Sequence, residues 1–411
     1  MTLGATSSGV TTPQGFRAAG IGSGIKRANP AAAADPSGVP LDLALLVSDV
    51  PATASAVFTT NLAQAAPVLV SLEHLARSHG IVRAIIVNSG CANACTGDEG
   101  MRVARGMAEE TARLVGCPIE QVLVASTGVI GVSLPIDKVA SALPIALGAL
   151  GADQGAAAAR AIMTTDPFPK EASVQVTIGG RPAGIGGMAK GSGMIEPMMA
   201  TMLAFVTTDA SVPKPLLDRA LTEVINDTFN AITVDGECST NDCVMLLANG
   251  TGGATVDDSS YEEFVAGLRT VCRELALGIV RGGEGATKLV TVTVTGAATQ
   301  QDARRAAKAI ANSLLVKTAI HGGDPNWGRL IAVAGRAGVA FELSRAAVAI
   351  GSIVLFRDGR PYDESAPLAA EYLKRKDVDV SVDLGSGGAT STVWTCDLSA
   401  DYVRINADYR T

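Results

Sequence analysis

Two stretches alternate apolar and polar residues with a period of two: Leu289-Val-Thr-Val-Thr-Val-Thr295, from Val290 on, and Val378-Asp-Val-Ser-Val-Asp-Leu384. Successive side chains of a strand point to opposite faces, so both predict half-buried strands with one polar face. The uniformly apolar runs Leu41 to Val47 and Ile81 to Val87 suit strands buried on both faces, and Val174 to Ile178 and Cys243 to Ala248 add two more. Elsewhere the period lengthens. Between Gly100 and Val115, Met101, Ala104, Met107, Thr111 and Leu114 recur at steps of three or four, the spacing of one helix face. Pro213 to Phe229, Tyr261 to Val280, Asp302 to Leu315 and Ala366 to Lys374 predict further helices, with Pro213 in a first turn and Asp302 as an N-cap.

These elements do not alternate strand for helix. The pattern therefore predicts a layered α+β architecture rather than a doubly wound parallel sheet. A boundary is expected near residue 200, between a Gly-rich stretch and the apolar run Met202 to Val206, with Ala149 to Gly155 and Gly250 to Ser260 as surface connections. A chain of 411 residues has room for two or three domains and a large core. At 47% hydrophobic and 18% charged residues, disorder is not expected. A net charge of -7 argues against nucleic acid as a partner. No apolar run reaches the roughly 18 residues of a membrane span, and Met1 to Gly9 lacks the regions of a secretory signal, so no membrane association is expected. Seven scattered cysteines fit reduced thiols and a cytoplasmic location better than a disulfide framework. The three histidines, His74, His79 and His321, leave little material for a histidine-based triad or metal site, and no metal is expected.

Candidate chemistry therefore has to come from elsewhere, and the segment from Ile185 to Ala210 is the most informative. A Gly-rich, flexible approach leads through Glu196 and Pro197 into an apolar run that opens with the hydroxyl of Thr201. A threonine hydroxyl needs a base to act as a nucleophile. Breaking the Ala200–Thr201 bond would supply one, because the α-amine it frees has a pKa of about 7.7–8 and adjoins the hydroxyl. The same hydroxyl can attack the preceding carbonyl to cut the chain, and small Ala200 leaves that carbonyl accessible. Taken alone, the segment equally fits a core strand with one hydroxyl bonded to backbone.

Lys190-Gly-Ser-Gly-Met-Ile through Ala200-Thr-Met-Leu-Ala-Phe resembles the ornithine acetyltransferase family of arginine biosynthesis. The resemblance extends over nearly the whole chain, through Pro13-Gln-Gly-Phe, Val57-Phe-Thr-Thr-Asn61, Asn88-Ser-Gly-Cys-Ala-Asn-Ala-Cys-Thr-Gly97, Ala125-Ser-Thr-Gly-Val-Ile-Gly131 and Ile162-Met-Thr-Thr-Asp166. It continues in Phe229-Asn-Ala-Ile-Thr-Val-Asp235, Ser239-Thr-Asn-Asp242, Gly283-Glu-Gly-Ala-Thr-Lys288, Gly323-Asp-Pro-Asn-Trp-Gly-Arg329 and the terminus from Tyr402 to Thr411.

The resemblance implies an α/β/β/α-type sandwich of the L-aminopeptidase and ornithine acetyltransferase kind. It implies self-cleavage into segments 1–200 and 201–411, assembled as a heterotetramer of two copies of each. It also implies ping-pong transfer of acetyl from N-acetylornithine to glutamate, without a bound cofactor; some members also take acetyl-CoA as donor. On the matching positions, Thr201 is the nucleophile and Thr127 and Gly128 form the oxyanion hole. Thr164, Lys190, Glu284, Asn406 and Thr411 join Thr201 in holding substrate, with Glu284 suited to the δ-ammonium of ornithine. Cys91, Glu196, Met198, Cys238 and Cys243 depart from the family's usual residues. Two other readings of the same pattern stay open: a hydrolase or secondary-metabolism transferase on this scaffold, and a non-catalytic assembly protein.

Other signals are weaker. Gly184 to Ala189 only loosely fits a dinucleotide fingerprint, and Gly282 to Lys288 has the wrong spacing for a phosphate loop. Cys91 and Cys95 are expected to be buried thiols, and His321 to cap a turn.

Overall fold

The computed structural model describes residues 9–26, 38–196 and 202–408. Its frame is one eight-stranded sheet. β1 (Phe16–Ile21), β2 (Leu43–Phe58), β3 (Ile81–Cys91) and β4 (Val122–Val129) form one half, and β5 (Lys170–Ile178), β6 (Arg181–Lys190), β7 (Leu203–Thr208) and β8 (Cys243–Ala248) form the other. The order is β4-β3-β2-β8-β7-β6-β5, with β1 on β2. β2, at 16 residues, belongs to both halves: Leu43 to Val47 pair with β3, whereas Thr53 to Phe58 pair with β8. The register against β3 shifts between Val47 and Ala52, and such a bulge bends a strand and sharpens its twist.

Alternation along the strands shows where the bend leads. On β3, Ala84 and Ile86 enter one core while Ile85 and Val87 enter another; on β7, Ala204 and Val206 part in the same way from Leu203 and Phe205. Ile85, Val87 and Leu123 of the first half meet Phe205, Met245 and Leu247 of the second, so the two halves stack face to face. The outer face of the first half is covered by α1 (Ala66–Arg77), α2 (Gly97–Val115) and α3 (Ile136–Gly148). α4 (Gly155–Ala161) packs on β1, and α5 (Lys214–Asp227) and α6 (Tyr261–Arg281) cover the second half. The result is the expected α+β sandwich of helix, sheet, sheet and helix.

A second unit follows. β9 (Leu289–Ala297), α7 (Gln300–Ala311), α8 (Leu314–Gly322), α9 (Trp327–Gly335), β10 (Ala347–Ile350), β11 (Ile353–Arg357), β12 (Arg360–Pro361), α10 (Ala366–Tyr372), β13 (Asp377–Asp383) and β14 (Ala389–Cys396) build a six-stranded sheet around its own core. The alternating strands predicted near 290 and 380 are β9 and β13, paired in parallel with their valines inward. α11 (Ala400–Asp408) then returns to the sandwich, where Asn406 reaches Glu284. No helix among the described residues is long and apolar enough to cross a membrane.

Several local expectations change. The Gly-rich approach before residue 200 is largely β6, a strand whose residues from Ala183 to Lys190 are all buried. Its glycines answer to space: a Cβ on Gly186 would lie 2.0 Å from the carbonyl oxygen of Gly9, and one on Gly187 2.9 Å from Leu275. Residue 200 lies between β6 and β7, neighbours paired from Ile185–Thr208 to Lys190–Leu203, so the segments on its two sides are packed as one body. The helix expected from Asp302 to Leu315 is two helices, α7 capped by the Thr299 hydroxyl and α8 by that of Ser313. Thr299 takes the cap because its oxygen accepts the backbone N–H of Asp302 three residues on. Pro213 precedes α5 as its N-cap, and Pro215 holds the first-turn position.

Gly186→Ala should destabilise the sandwich by about 1–3 kcal/mol, the usual cost of overpacking, seen as a lower urea midpoint. An unchanged midpoint would show that β6 and the segment around Gly9 have room to part.

Candidate active site

The parallel pair β3 and β4 ends in a bend where the register shifts. Asn88 faces Ser126 and Gly90 faces Gly128, but Cys91 pairs with both Thr127 and Val129. Ser126 Oγ donates to Asn88 Oδ1 at 2.6 Å, and Asn88 Nδ2 donates to the Cys91 carbonyl at 2.8 Å. Gly128 has φ +130°, and a Cβ there would lie 2.4 Å from the carbonyl carbon of Gly90, so this position admits only glycine. Asn241, just before β8, ties the turn to the second half of the sandwich by donating to the carbonyls of Ala92 (2.6 Å) and Ser126 (2.9 Å).

Lys190, the last residue of β6, is buried and donates to Thr127 Oγ1 at 3.2 Å. The chain beyond it is held by Asp166, which accepts the N–H of Gly191 on Oδ1 (2.7 Å) and that of Thr164 on Oδ2 (2.9 Å). Lys170 pairs with the same carboxylate and donates to the Gly191 carbonyl at 3.0 Å. Burial alone would raise the Asp166 pKa, but the ammonium groups of Lys170 and Lys190 outweigh it and hold the carboxyl well below its usual range.

On the next side, Glu284 accepts from Thr165 Oγ1 and Asn406 Nδ2, both at 2.7 Å, while Thr165 shares a 2.6 Å hydrogen bond with Ser192. Gly193 has no room for a side chain, since a Cβ would lie 2.5 Å from Glu284 Oε2. Asp235 accepts the N–H groups of Met194 (2.7 Å) and Ile195 (2.8 Å) and the Tyr402 hydroxyl (3.3 Å). Burial, then the nearby Asp235 carboxylate, pushes the Tyr402 hydroxyl far above its ordinary pKa.

These walls enclose a cavity of about 140 Å³. Thr127, Gly128, Thr164, Lys190, Glu284 and Asn406, singled out from the sequence, all line it. Ala200, Thr201 and Thr411 lie outside the described residues, as does Met198. Met202 and Leu203, which follow residue 201 in the chain, line the cavity. The walls also include Asp235, Asp242 and Tyr402, to which sequence reasoning gave no role although each lies in a stretch that carries the resemblance. A cavity holding both an ammonium and a carboxylate, beside a turn with a hydroxyl and a glycine N–H, suits a small zwitterion bearing an acyl group.

The departures now have surroundings. Cys91 is a buried thiol whose Sγ lies 3.2 Å from the Val132 carbonyl, but Cys95 is exposed, in the segment between β3 and α2. Cys238 is partly buried with Sγ 3.7 Å from Thr59 Oγ1, and burial pushes the Cys243 thiol far up. Glu196 accepts from Thr233 Oγ1 at 3.0 Å and from Asn312, with Lys308 Nζ 4.0 Å away. It thereby fastens the chain ahead of residue 200 to the end of α7. His321, expected to cap a turn, instead has its Nδ1 2.6 Å from Asp397 Oδ2, and the same oxygen accepts from Thr287 Oγ1.

Residues 19–411 match the ArgJ family. The arginine biosynthesis bifunctional protein ArgJ of Symbiobacterium thermophilum is 48% identical over 408 residues, covering 98% of each chain. That of Geobacillus stearothermophilus is 44% identical over 405 residues, 98% of this chain and 96% of its own. The chain belongs to the ArgJ family. That family comprises the acetyltransferases of arginine biosynthesis, which is the family the sequence resembles. A crystal structure of ArgJ from Bacillus halodurans shares 46% identity over 51% of this chain and all of its own, with a TM-score of 0.49.

Replacing Asp166 with Asn leaves Lys170 buried without its carboxylate, which should cost about 3–5 kcal/mol at neutral pH, measured by urea unfolding. Because the native pKa is lowered, the contribution of Asp166 is complete above the unfolded aspartate value of about 4 and drains away as pH falls towards the native value. The gap between wild type and variant should therefore narrow in acid; a gap constant from pH 7 to pH 3 would show that ionisation of Asp166 is not its source.

Proposed function

We propose that the chain cuts itself between Ala200 and Thr201, and that Thr201 then carries acetyl from N-acetylornithine to glutamate. The observation that carries this reading is the convergence of Thr127, Gly128, Lys190, Glu284 and Asn406 on one cavity at the start of β7, one residue from position 201.

In the proposed cycle the freed α-amine of Thr201 takes the hydroxyl proton as Oγ attacks the acetyl carbonyl. The Gly128 N–H and the Thr127 hydroxyl stabilise the oxyanion, and Lys190, on Thr127 Oγ1, adds positive charge beside it. The amine returns the proton to the nitrogen of departing ornithine, leaving acetyl-Thr201. Glutamate then enters, its amino group attacks the ester, and N-acetylglutamate leaves. Glu284, fixed by Thr165 and Asn406, offers a negative end to the ornithine ammonium, and Thr164 and Thr411 complete the substrate contacts. No step calls for a bound cofactor; acetyl-CoA would enter as an alternative donor to Thr201. In this reading segments 1–200 and 201–411 remain joined through the β6–β7 ladder and assemble as a heterotetramer of two copies of each, in the cytoplasm.

Thr201→Ala should yield a single chain of uncut mass with no transferase activity; two segments by mass spectrometry, or acetyl transfer by the variant, would refute the nucleophile. Thr127→Ala should still be cut but lose about 10²–10³-fold in kcat, the loss expected for one oxyanion donor. Undiminished turnover would remove Thr127 from the oxyanion hole, and release of acetate without N-acetylglutamate would make the enzyme a hydrolase.

A further inference from the structure

The cycle above uses an amine that does not exist until the chain has been cut. The first scission therefore needs a different proton carrier. It must receive the Thr201 hydroxyl proton and supply one to the departing nitrogen, and it must lie where β7 begins.

Four carboxylates line the cavity: Asp235, Glu237, Asp242 and Glu284. Both oxygens of Asp235 accept backbone or tyrosine donors, and both of Glu284 accept from Thr165 and Asn406. Glu237 is exposed. Asp242 differs: its residue is 2% exposed, and its Oδ2 is buried with no hydrogen-bond partner. A buried carboxyl oxygen without a partner is costly and calls for an explanation; Ser48 Oγ and Glu171 Oε1 share this state, but of the three only Asp242 lines the cavity. Its place is set by the strands. The N–H of Cys243, the next residue, donates to the Met202 carbonyl at 3.0 Å, and Leu203 pairs with Cys243 as β7 and β8 start side by side. Asp242 thus stands beside Met202, one covalent step from Thr201.

Resting on the self-cleavage proposed above, we infer that Asp242 is the proton carrier for the cut between Ala200 and Thr201. Thr201 Oγ forms a bond to the Ala200 carbonyl carbon, the carbon–nitrogen bond breaks, and the nitrogen leaves as an amine with the proton of Asp242. The hydroxyl proton then restores the acid. Water adds to the ester, freeing the Ala200 carboxylate and the Thr201 hydroxyl. Burial raises the pKa of Asp242 well above the ordinary aspartate range, partly offset by the Ser239 hydroxyl and the Lys190 charge, a shift in the direction of the acid form from which this step begins. Once the cut is made, the new α-amine takes over the proton transfers of turnover.

The test compares full-length wild type, Asp242→Asn and Asp242→Glu, following the uncut fraction over time by intact mass and the transferase rate per cut chain. Asn should slow cleavage about 100-fold or more, within the range for loss of a general acid–base group. The rate per cut chain should fall far less, and Glu should cleave faster than Asn. Cleavage of Asp242→Asn at the wild-type rate, or equal losses in cleavage and in turnover per cut chain, would overturn the inference. If Asp242→Asn does not fold, Asp242→Ala is read in the same way. An uncut wild type would instead defeat the self-cleavage reading itself.

Discussion

The buried carboxylate of Asp166 is the contact on which the cavity depends. One oxygen takes the N–H of Gly191 and the other that of Thr164, while Lys170 neutralises the charge from within. A lone carboxylate at this depth would be very costly; with an ammonium and two backbone donors it becomes a rigid joint. That joint fixes the exit of β6, and with it the position of Lys190 against Thr127. It also fixes the turn bearing Thr165, which in turn orients Glu284. Two walls of the cavity thus share one anchor.

The second constraint is the bend in β2. Because one strand serves both halves of the sheet, the ends of β3 and β4 are carried across the starts of β7 and β8, and Asn241 closes the join by bonding to Ala92 and Ser126. The Thr127–Gly128 end of β4 and the start of β7 therefore belong to opposite layers of the sandwich and meet only because the sheet folds back. Side chains from distant segments converge without any local motif that joins them.

The sequence was legible where a single period dominates. The valines of β9 and β13, the amphipathic face of α2 and the buried run of β8 all declare themselves, because each buries one face against one layer. β6 was not legible. Its glycines are required by the approach of Gly9, Pro13 and Leu275, a constraint set by other parts of the chain, and in the sequence they look like a loop. The helix boundary at Asn312 was missed because an apolar pattern can run across a cap, and only the hydroxyl of Ser313 marks the new start. Of the cavity, the residues carried by family motifs were legible; the partnerless oxygen of Asp242 was not, since an unsatisfied group is a property of packing.

The place of the junction would also make the proposed cut compatible with a folded protein. β6 and β7 pair over six residues on each strand, from Ile185–Thr208 to Lys190–Leu203, and none of these hydrogen bonds runs through residue 200. Scission there would remove only the covalent closure between two strands already paired, whose entropic worth is small beside a buried ladder and the two cores that β7 joins. On the upstream side, Met194 and Ile195 stay bound to Asp235 and Glu196 stays bound to Thr233 and Asn312. On the downstream side, Met202 stays bound to Cys243. The described residues on both sides of the junction, Met194 to Glu196 and Met202, are thus held by contacts that owe nothing to the bond between Ala200 and Thr201.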